Sequence, residues 1–340
     1  MIKNISLRSF TVFESVDVGF NPGMNVIIGA NGTGKSHLLK VAYSACYDSA
    51  KTNGDNSKRA KARFQTQLAD GLNAVLQPDQ LGRLVSRRPG RNRAEVRIGF
   101  EQADADFSFS FSTNSQTDVR LDTSPESAAP ATPVFFPPKE ILSWFPGFQQ
   151  LYQNREIKID RTYADLCDAL ALPLLRGPRT RRSAPLLSQI ESVTGGLTIF
   201  QNGQFYFDIP SGKMEATLMA EGLRKLGTLG FLIGNGSLDT ETTLFWDEPE
   251  ANLNPLIIQE AAKIMMGLCS LGFQIICATH SLFLLKELHI LSNELTQPVN
   301  YISLSTHMGT TVVEQVDNLG LVTDIPSLDA DLEQSTRFQI

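Results

Sequence analysis

The chain has 340 residues, of which 42% are hydrophobic and 19% are charged, and its formal net charge is −6 at pH 7. This length allows a large buried core, and the negative charge excludes attraction of nucleic acid over the whole surface, although a local basic patch is compatible with it. No apolar run reaches the roughly 20 residues of a membrane-spanning helix, and residues 1–5 lack the apolar segment of a signal peptide. We therefore expect a globular, cytoplasmic protein with no membrane partner.

The first predicted elements are a hairpin and a buried strand. Polar and apolar residues alternate over residues 5–20, with a predicted turn near residues 13–15. Asn21-Pro22-Gly23 then leads into the apolar run Asn25-Val26-Ile27-Ile28, which is typical of a strand inside a sheet. Three strands are thus predicted before residue 29.

Residues 29–36 match the phosphate-loop spacing G-x-x-x-x-G-K-[ST], with the buried strand before them and a predicted helix after them. Glycines let successive backbone N–H groups converge on phosphate oxygens, and the helix N-terminus adds a favourable dipole. Lys35 is predicted to reach the β- and γ-phosphates, and the Ser36 hydroxyl to bind Mg²⁺. The motif predicts a nucleotide site made by Gly29, Ala30, Asn31, Gly32, Thr33, Gly34, Lys35 and Ser36.

The next part of the chain predicts a polar insertion and a second antiparallel region. Residues 50–93 are rich in Ala, Gln and Arg, with a helical stretch over residues 64–76. Residues 95–112 alternate again and predict two antiparallel strands, whereas residues 113–133 have the composition of a loop. Val134-Phe135-Phe136 is predicted to be another buried strand, ended by two prolines.

Helical periodicity follows over residues 139–193, interrupted by an arginine-rich loop at residues 176–182. Residues 195–209 predict a hairpin with a type I′ turn at Asn202-Gly203. From Glu215 onward, predicted helices alternate with strands over residues 243–246, 274–278 and 300–304. This alternation indicates an α/β fold with a parallel sheet.

Two carboxylates and a histidine follow the last buried strands. Asp247 is predicted to hold Mg²⁺, and Glu248 to polarise the attacking water as general base. The alternative is a pair of acids that caps the following helix. His280 comes at the end of the next strand and is predicted to contact the γ-phosphate or orient the attacking water, whereas the other three histidines are predicted to be structural: His37, His289 and His307.

Four cysteines are widely separated and form no C-x-x-C pair: Cys46, Cys167, Cys269 and Cys277. They are expected to be small buried hydrophobic side chains in a reducing compartment. The only expected metal is therefore the Mg²⁺ that accompanies the nucleotide.

With these motifs, the chain resembles an ABC-type ATPase of the SMC/RecF/OLD branch, in the compact AAA_21-like form. Residues 247–255, Asp-Glu-Pro-Glu-Ala-Asn-Leu-Asn-Pro, resemble that branch's Walker B motif and D-loop, with Asn252 and Asn254 in the D-loop. His280 resembles its switch histidine. The resemblance implies a P-loop NTPase fold, namely an ABC-ATPase head with an antiparallel β subdomain and a helical lobe, which uses ATP and Mg²⁺.

The family's signature segment contacts the γ-phosphate that is bound by the other protomer. At the matching distance before Asp247 lie Ala220, Glu221 and Gly222. Alanine replaces the usual serine, so one hydrogen bond is missing and ATP-driven closure is weakened by roughly 1–3 kcal/mol. Arg224 and Lys225 are candidates to compensate; the alternative is an ordinary amphipathic helix.

Two further family features have weaker counterparts. The stretch that corresponds to the glutamine-bearing Q-loop, residues 136–140, offers Lys139 and Glu140 instead of glutamine. Candidates for the adenine contact are Arg8, Phe10 and Phe13, with core packing as the alternative for both phenylalanines.

The resemblance also implies a head-to-tail homodimer with two ATP molecules between the protomers and slow hydrolysis. We divide the chain into ATPase lobe I (residues 1–138, with a variable arginine-rich insertion at 50–95), a helical and hairpin lobe (139–214) and ATPase lobe II (215–340). The segment between Ser36 and Ala220 is too short for long coiled-coil arms.

Clustered cations give a possible surface for nucleic acid or an acidic partner, with a solvated loop as the alternative. The main group is Arg83, Arg87, Arg88, Arg91, Arg93 and Arg97; smaller groups are Arg176, Arg179, Arg181 and Arg182, and Lys58, Arg59, Lys61 and Arg63.

Three functions are compatible with these features. The favoured hypothesis is an ATPase that gates a separately encoded toxin or nuclease, as in anti-phage defence systems of the Septu or retron kind, whose ATPases the chain resembles. The alternatives are a RecF/SMC-like DNA-repair ATPase that binds DNA directly and an ATP-dependent scaffold.

Overall fold

The computed structural model describes residues 1–52, 57–86, 92–154, 157–176, 183–307 and 309–338. Its strands are β1 (Ile2–Phe10), β2 (Phe13–Gly19), β3 (Met24–Gly29), β4 (Arg93–Phe100), β5 (Phe107–Ser112), β6 (Arg120–Thr123), β7 (Val134–Phe136), β8 (Leu197–Gln201), β9 (Gln204–Ile209), β10 (Gly212–Glu215), β11 (Thr243–Asp247), β12 (Gln274–Thr279), β13 (Val299–His307) and β14 (Thr310–Val316). Its helices are α1 (Lys35–Ala50), α2 (Lys58–Leu76), α3 (Phe145–Gln153), α4 (Arg161–Leu170), α5 (Ala184–Thr194), α6 (Glu221–Asn235), α7 (Pro255–Ser270), α8 (Leu282–Leu295) and α9 (Pro326–Phe338).

The central sheet has the strand order β14-β13-β3-β12-β11-β7, in which all neighbours are parallel except β14. Every residue of β3, β11 and β12 is buried, as expected for strands covered on both faces. Asp247 lies opposite Ala278, and Thr279 lies opposite Ile28. The register therefore brings the carboxyl ends of these three strands to one edge, where α/β proteins commonly place their sites.

A second, antiparallel sheet has the order β2-β1-β4-β5-β6. Its apolar face packs with α1, α2 and one face of the central sheet in a single core, whose members include Leu7, Leu39 and Phe109. Helices α4 to α8 cover the other face of the central sheet and form a second core around Trp246. Helix α1 thus lies between the two sheets. This arrangement confirms the predicted antiparallel subdomain.

Several local predictions need correction. The first turn lies at Thr11 and Val12, because Phe10 pairs with Phe13 and both rings are buried in the core. Strand β6 lies inside the stretch predicted as a loop, and β10 and β14 were not predicted. All three are short or largely exposed strands with weak apolar alternation, which is the pattern that periodicity detects least well.

The helical lobe contains α3, α4 and α5 beside the sheet β10-β9-β8. Its hairpin turn has φ 53° at Asn202 and 77° at Gly203, which confirms the predicted type I′ turn. The four cysteines are buried, as predicted. In the described residues, no helix is long and apolar enough to cross a membrane. The three-lobe division of the chain stays a prediction.

The clustered cations that the structure describes are exposed. Arg83, Arg93 and Arg97 lie on the surface, and the N-terminal half of α2 exposes a group that we call the α2 basic group: Lys58, Arg59, Lys61 and Arg63. Arg87, Arg88 and Arg91 lie outside the described residues, as do Arg179, Arg181 and Arg182.

Candidate functional site

The phosphate loop connects β3 to α1, as its motif predicts. Gly32 and Gly34 have φ values of 84° and 98°, in the left-handed region that favours glycine. A Cβ atom at Gly34 would lie 2.6 Å from the side chains of Val12 and Phe13. The first turn of the chain therefore packs against the loop and leaves no room for a side chain there.

The N-terminus of α1 fits a phosphate group. Its N-cap, Gly34, makes no side-chain cap bond, and its first turn contains no acidic residue. The first-turn N–H groups have no intrahelical acceptor and add to the positive end of the helix dipole. Lys35 crosses the loop, where its Nζ donates to the carbonyls of Gly29 at 2.7 Å and Ala30 at 3.0 Å. Burial lowers the pKa of this amine, although Asp247 and Glu248 oppose the shift.

Ser36 and Asp247 fit a magnesium ion. The Ser36 Oγ lies 3.3 Å from Oδ1 of Asp247, which is buried at the end of β11. Burial raises the pKa of Asp247 to about 6, against the hydrogen bond from Ser36, and the charge of Glu248 adds to the rise. Hydroxyl and carboxylate oxygens are the ligands that Mg²⁺ prefers. No cluster of three or more His, Cys, Asp or Glu ligands occurs in the part of the chain that the structure describes, so substrate phosphates and water are needed to complete the coordination.

Glu248 turns away from the sheet directly after β11. Its φ is 51°, which is rare for a residue other than glycine, and its N–H donates to the Ala278 carbonyl at 2.9 Å. The side chain is 40% exposed. The predicted base is therefore accessible to water beside the phosphate loop.

His280 lies between two carboxylates. Its Nδ1 is 3.7 Å from Oε1 of Glu248 and 3.7 Å from Oε1 of Glu250. Glu250, which was not predicted, accepts a 2.6 Å hydrogen bond from the Thr279 hydroxyl. In the sequence, Glu250 is visible only as the third acid of Asp-Glu-Pro-Glu, a segment that we interpreted as part of the Walker B motif and D-loop. The structure thus brings Glu248 and His280 together, as predicted, and adds Glu250.

The predicted signature segment lies at a helix start beside the D-loop. Ala220 is the N-cap of α6 and makes no side-chain cap bond. A Cβ atom at Gly222 would lie 2.6 Å from the Asn252 carbonyl, so the signature glycine packs directly on the D-loop. Asn252 has φ 65°, and Asn254 caps α7 by accepting from the Ile257 N–H at 3.0 Å. The two D-loop asparagines therefore shape the loop and the helix start.

Arg224 and Lys225, the candidates to compensate for Ala220, are engaged within their own protomer. The Arg224 Nε lies 3.0 Å from Oε1 of buried Glu140, and its Nη1 donates to the Met219 carbonyl at 3.0 Å. Lys225 is buried, and its Nζ donates to the Glu248 carbonyl at 3.4 Å. The Q-loop counterpart is therefore tied to the signature helix by an ion pair, and Lys225 ties this helix to the proposed base.

The three candidates for the adenine contact are all engaged in other contacts. Phe10 and Phe13 are buried, which confirms core packing for both. Arg8 is paired with Asp17 at 2.7 Å and donates to the Val16 carbonyl at 2.8 Å. The adenine contact therefore has no assigned residue.

Known proteins are similar to this chain in sequence and in fold. The model of a family described as "AAA domain, putative AbiEii toxin, Type IV TA system" (AAA_21) matches residues 24–286. The DNA replication and repair protein RecF of Streptococcus uberis is 36% identical over 75 residues, which are 22% of this chain and 21% of that protein. RecF of Streptococcus agalactiae is 43% identical over 42 residues, 12% of this chain and 11% of that protein. The chain thus aligns with at most about a quarter of the length of these curated relatives.

Solved structures show the same fold. The SMC head bound to the C-winged helix domain of ScpA covers 94% of this chain and 98% of its own, with a TM-score of 0.59 and 15% identity. An SMC head with an extended coiled coil, derived from Pyrococcus furiosus, has a TM-score of 0.51 and 12% identity, and covers 100% of this chain and 99% of its own. These similarities confirm the predicted ABC-ATPase head. The family match over residues 24–286 shows that the chain belongs to the AAA_21 family, and its fold is that of an SMC head.

Proposed function

We propose that this protein binds ATP with Mg²⁺ and hydrolyses it slowly in the cytoplasm, at the interface of a head-to-tail homodimer. One observation carries the proposal: the ends of β3, β11 and β12 bring the phosphate loop, the strand-end acids and His280 to one edge. Ser36 lies 3.3 Å from Asp247, and His280 lies 3.7 Å from Glu248. If the two acids only capped the following helix, they would not need to lie beside a phosphate loop.

Each residue has a role that follows from its position. The loop N–H groups and Lys35 bind the phosphates of ATP, and Ser36 and Asp247 hold Mg²⁺, which neutralises phosphate charge when bound. Glu248 accepts a proton from the attacking water, because its carboxylate is accessible beside the loop. His280 orients that water or the γ-phosphate from the other side of Glu248.

The dimer completes the site. The N-terminus of α6, at Ala220, Glu221 and Gly222, is directed to the ATP of the other protomer in this proposal, where its N–H groups favour an anion. Leu218 and Leu256, next to the signature and the D-loop, are each 72% exposed. Exposed apolar side chains next to the signature and next to the D-loop support an interface at this face.

The work that the ATPase cycle drives is assigned to a separately encoded effector, a toxin or a nuclease in anti-phage defence of the Septu or retron kind. The elements of the described residues correspond to an ATPase head and its helical lobe, and the proposal therefore assigns the effector chemistry to another chain. The family description names a putative AbiEii toxin and a Type IV TA system, which supports a role in a system of more than one component.

The test is to purify tagged Glu248→Gln protein from cells that express its native locus, with ATP and Mg²⁺ present. We expect retained ATP binding, hydrolysis lowered by at least about 100-fold and a stable dimer that carries a stoichiometric second protein. Lys35→Ala is the control and should lose nucleotide binding and the partner. Wild-type turnover by Glu248→Gln contradicts the assignment of the base. A dimer that carries no second protein contradicts the effector hypothesis. If the wild-type protein hydrolyses ATP at a rate near background, the ATP-dependent scaffold is favoured.

A RecF-like function on DNA is the second candidate, favoured by the similarity to RecF and by the exposed α2 basic group. It predicts ATP hydrolysis that DNA stimulates and that salt suppresses, because phosphate contacts release counterions. Replacing Lys58, Arg59 and Lys61 by glutamate should abolish the stimulation and leave basal hydrolysis unchanged. Hydrolysis that DNA does not affect at low salt contradicts this candidate.

A further inference from the structure

Glu250 is a buried carboxylate next to the proposed catalytic pair. Its side chain is 7% exposed. Oε1 accepts from the Thr279 hydroxyl at 2.6 Å and from the His280 N–H at 3.4 Å. Oε2 is buried and has no hydrogen-bond partner within the described part of the chain. A buried acid with an unpaired oxygen costs stability, so its presence at this point calls for a role.

The two carboxylates compete for the same ring atom. Nδ1 of His280 is 3.7 Å from Oε1 of both Glu248 and Glu250, which is longer than a hydrogen bond. A small rotation of the ring brings Nδ1 within bonding distance of one of them. If Nδ1 bonds to Glu248, the ring blocks the carboxylate that is proposed as the general base. Bonded to Glu250, it leaves the base accessible to water.

Glu250 is the better partner of the two. Its carboxylate is already held by the Thr279 hydroxyl and shielded from water, whereas the Glu248 side chain is 40% exposed and has to be ordered at an entropic cost. Electrostatic attraction is also stronger where water is excluded. Burial lowers the pKa of Lys35 and of Lys225, and the charge of Glu250 opposes both shifts.

We propose that Glu250 is a positioning residue: it accepts a hydrogen bond from Nδ1–H of His280, fixes the orientation of the ring and keeps it off Glu248. Nε2 then remains as the ring atom that faces ATP or the attacking water. This inference rests on the proposed ATPase function. It assigns to the Walker B segment a second acid that acts through the histidine of the next strand.

The kinetic test is a double-mutant cycle. Glu250→Gln keeps the shape and an acceptor for Thr279 but removes the charge, and we expect kcat to fall about 10- to 100-fold with KM changed by less than about twofold. In a His280→Ala background the same substitution should change kcat by less than about twofold, because its partner is gone. Glu241→Gln, at an exposed loop position, is the matched control and should keep wild-type values. Wild-type kcat in Glu250→Gln, or equal losses in both backgrounds, overturns the proposal.

A spectroscopic test does not depend on hydrolysis. Only four histidines occur in the chain, so the ¹⁵N signals of His280 can be assigned with His280→Ala. At a pH where the ring is neutral, we expect mainly the Nδ1–H tautomer in wild type and in Glu248→Gln, and mainly Nε2–H in Glu250→Gln. An unchanged tautomer in Glu250→Gln overturns the proposal. A wild-type protein that does not hydrolyse ATP refutes the proposed function and leaves this measurement valid.

If Glu250→Gln fails to fold, Thr279→Val gives a second route to the same question. It keeps the side-chain volume and removes the hydroxyl that holds Glu250 at 2.6 Å. We expect the same direction in both tests: a lower kcat and a smaller Nδ1–H population. Wild-type behaviour of Thr279→Val in both tests counts against the proposed role of Glu250.

Discussion

Glu248 combines its chemical role with an unusual backbone conformation. Its φ of 51° lies in the left-handed region, which costs a residue with a Cβ atom about 1–2 kcal/mol. The hydrogen bond from its N–H to the Ala278 carbonyl, between the ends of β11 and β12, holds this conformation. Such strain is often found at functional sites, and here it turns the carboxylate out of the sheet towards the phosphate loop.

This strain can be measured by comparing two substitutions at one position. We expect Glu248→Gly to have an unfolding free energy about 0.5–1 kcal/mol higher than that of Glu248→Ala, because glycine adopts positive φ without the Cβ clash and loses only part of this gain to its larger unfolded-state entropy. Urea denaturation of the two variants without nucleotide gives the difference. At Glu241, where φ is not positive, the alanine variant should be at least as stable as the glycine variant. The same order at both positions contradicts a strained Glu248.

Ala220 is a second single-residue departure that can be tested. Ala220→Ser restores the hydroxyl that the family signature usually carries, and in a Glu248→Gln background we expect ATP-driven dimerisation about 5- to 100-fold tighter. Ala220 is also the N-cap of α6, so serine should raise the unfolding free energy of the protein without ATP by about 0.5–2 kcal/mol. Sedimentation with ATP and denaturation without it separate the two effects. A gain in stability with unchanged dimer affinity would show that residue 220 does not contact the partner's ATP.

At the scale of elements, α1 is joined to α4 by a polar network. Lys40 pairs with Asp160 at 2.9 Å, and the Tyr43 hydroxyl donates to Asp165 at 2.8 Å. The half-buried Arg161 lies 3.3 Å from the buried Asp48. Helix α1 also carries the phosphate loop, so these bonds connect the nucleotide site to the helical lobe.

This network predicts a pH dependence of stability. Burial raises the pKa of Asp48 to about 7, against the attraction of Arg161, whereas the unfolded value is near 3.8. Between these values the folded protein holds a proton that the unfolded chain has released, so the unfolding free energy falls as pH rises. We expect wild type to lose on the order of 2 kcal/mol between pH 5 and pH 8 relative to Asp48→Asn. Urea denaturation of wild type and of Asp48→Asn at both pH values gives the change in unfolding free energy with pH for each protein.

Asp17 provides the control for that slope. Hydrogen bonds from Arg8 and Ser6 lower the pKa of Asp17. Its contribution to the unfolding free energy is therefore fully present above the pKa of the unfolded state and is lost only in more acidic solution. Asp17→Asn should therefore leave the change between pH 5 and pH 8 as it is in wild type. Equal slopes for wild type and Asp48→Asn would mean that Asp48 titrates normally.

The sequence predicted the parts of the site that depend on local spacing. The phosphate loop, Asp247, Glu248 and His280 each follow a buried strand, and parallel strands bring such ends together. The contacts that join elements were not predictable, because they depend on packing between distant segments: Arg161 is 113 residues from Asp48. Glu250 was missed for the same reason, since only its burial against Thr279 distinguishes it from a surface acid.

At the scale of the whole molecule, one face contains the signature helix, the D-loop and two exposed leucines. Gly222 packs on the D-loop, so Leu218 before the signature and Leu256 after the D-loop belong to the same region. Burying a leucine side chain contributes about 1.5–3 kcal/mol, which is enough to matter in the proposed dimer, where alanine replaces the usual signature serine. We therefore expect the apolar contribution of this face to replace part of what Ala220 does not provide, and the proposed dimer to depend on it.

The test places a charge on that face without disturbing the core. In a Glu248→Gln background, Leu218→Asp should weaken ATP-dependent dimerisation at least about tenfold, because an aspartate in an apolar interface loses its hydration. ATP binding to the monomer and the melting temperature should stay at the values of the parent, since the side chain is 72% exposed. Leu321→Asp is the matched control: this leucine is 61% exposed outside the signature and D-loop segments, and its substitution should leave the dimer intact. If both aspartates weaken the dimer equally, or neither does, the interface does not lie at the signature face, and the head-to-tail arrangement has to be abandoned.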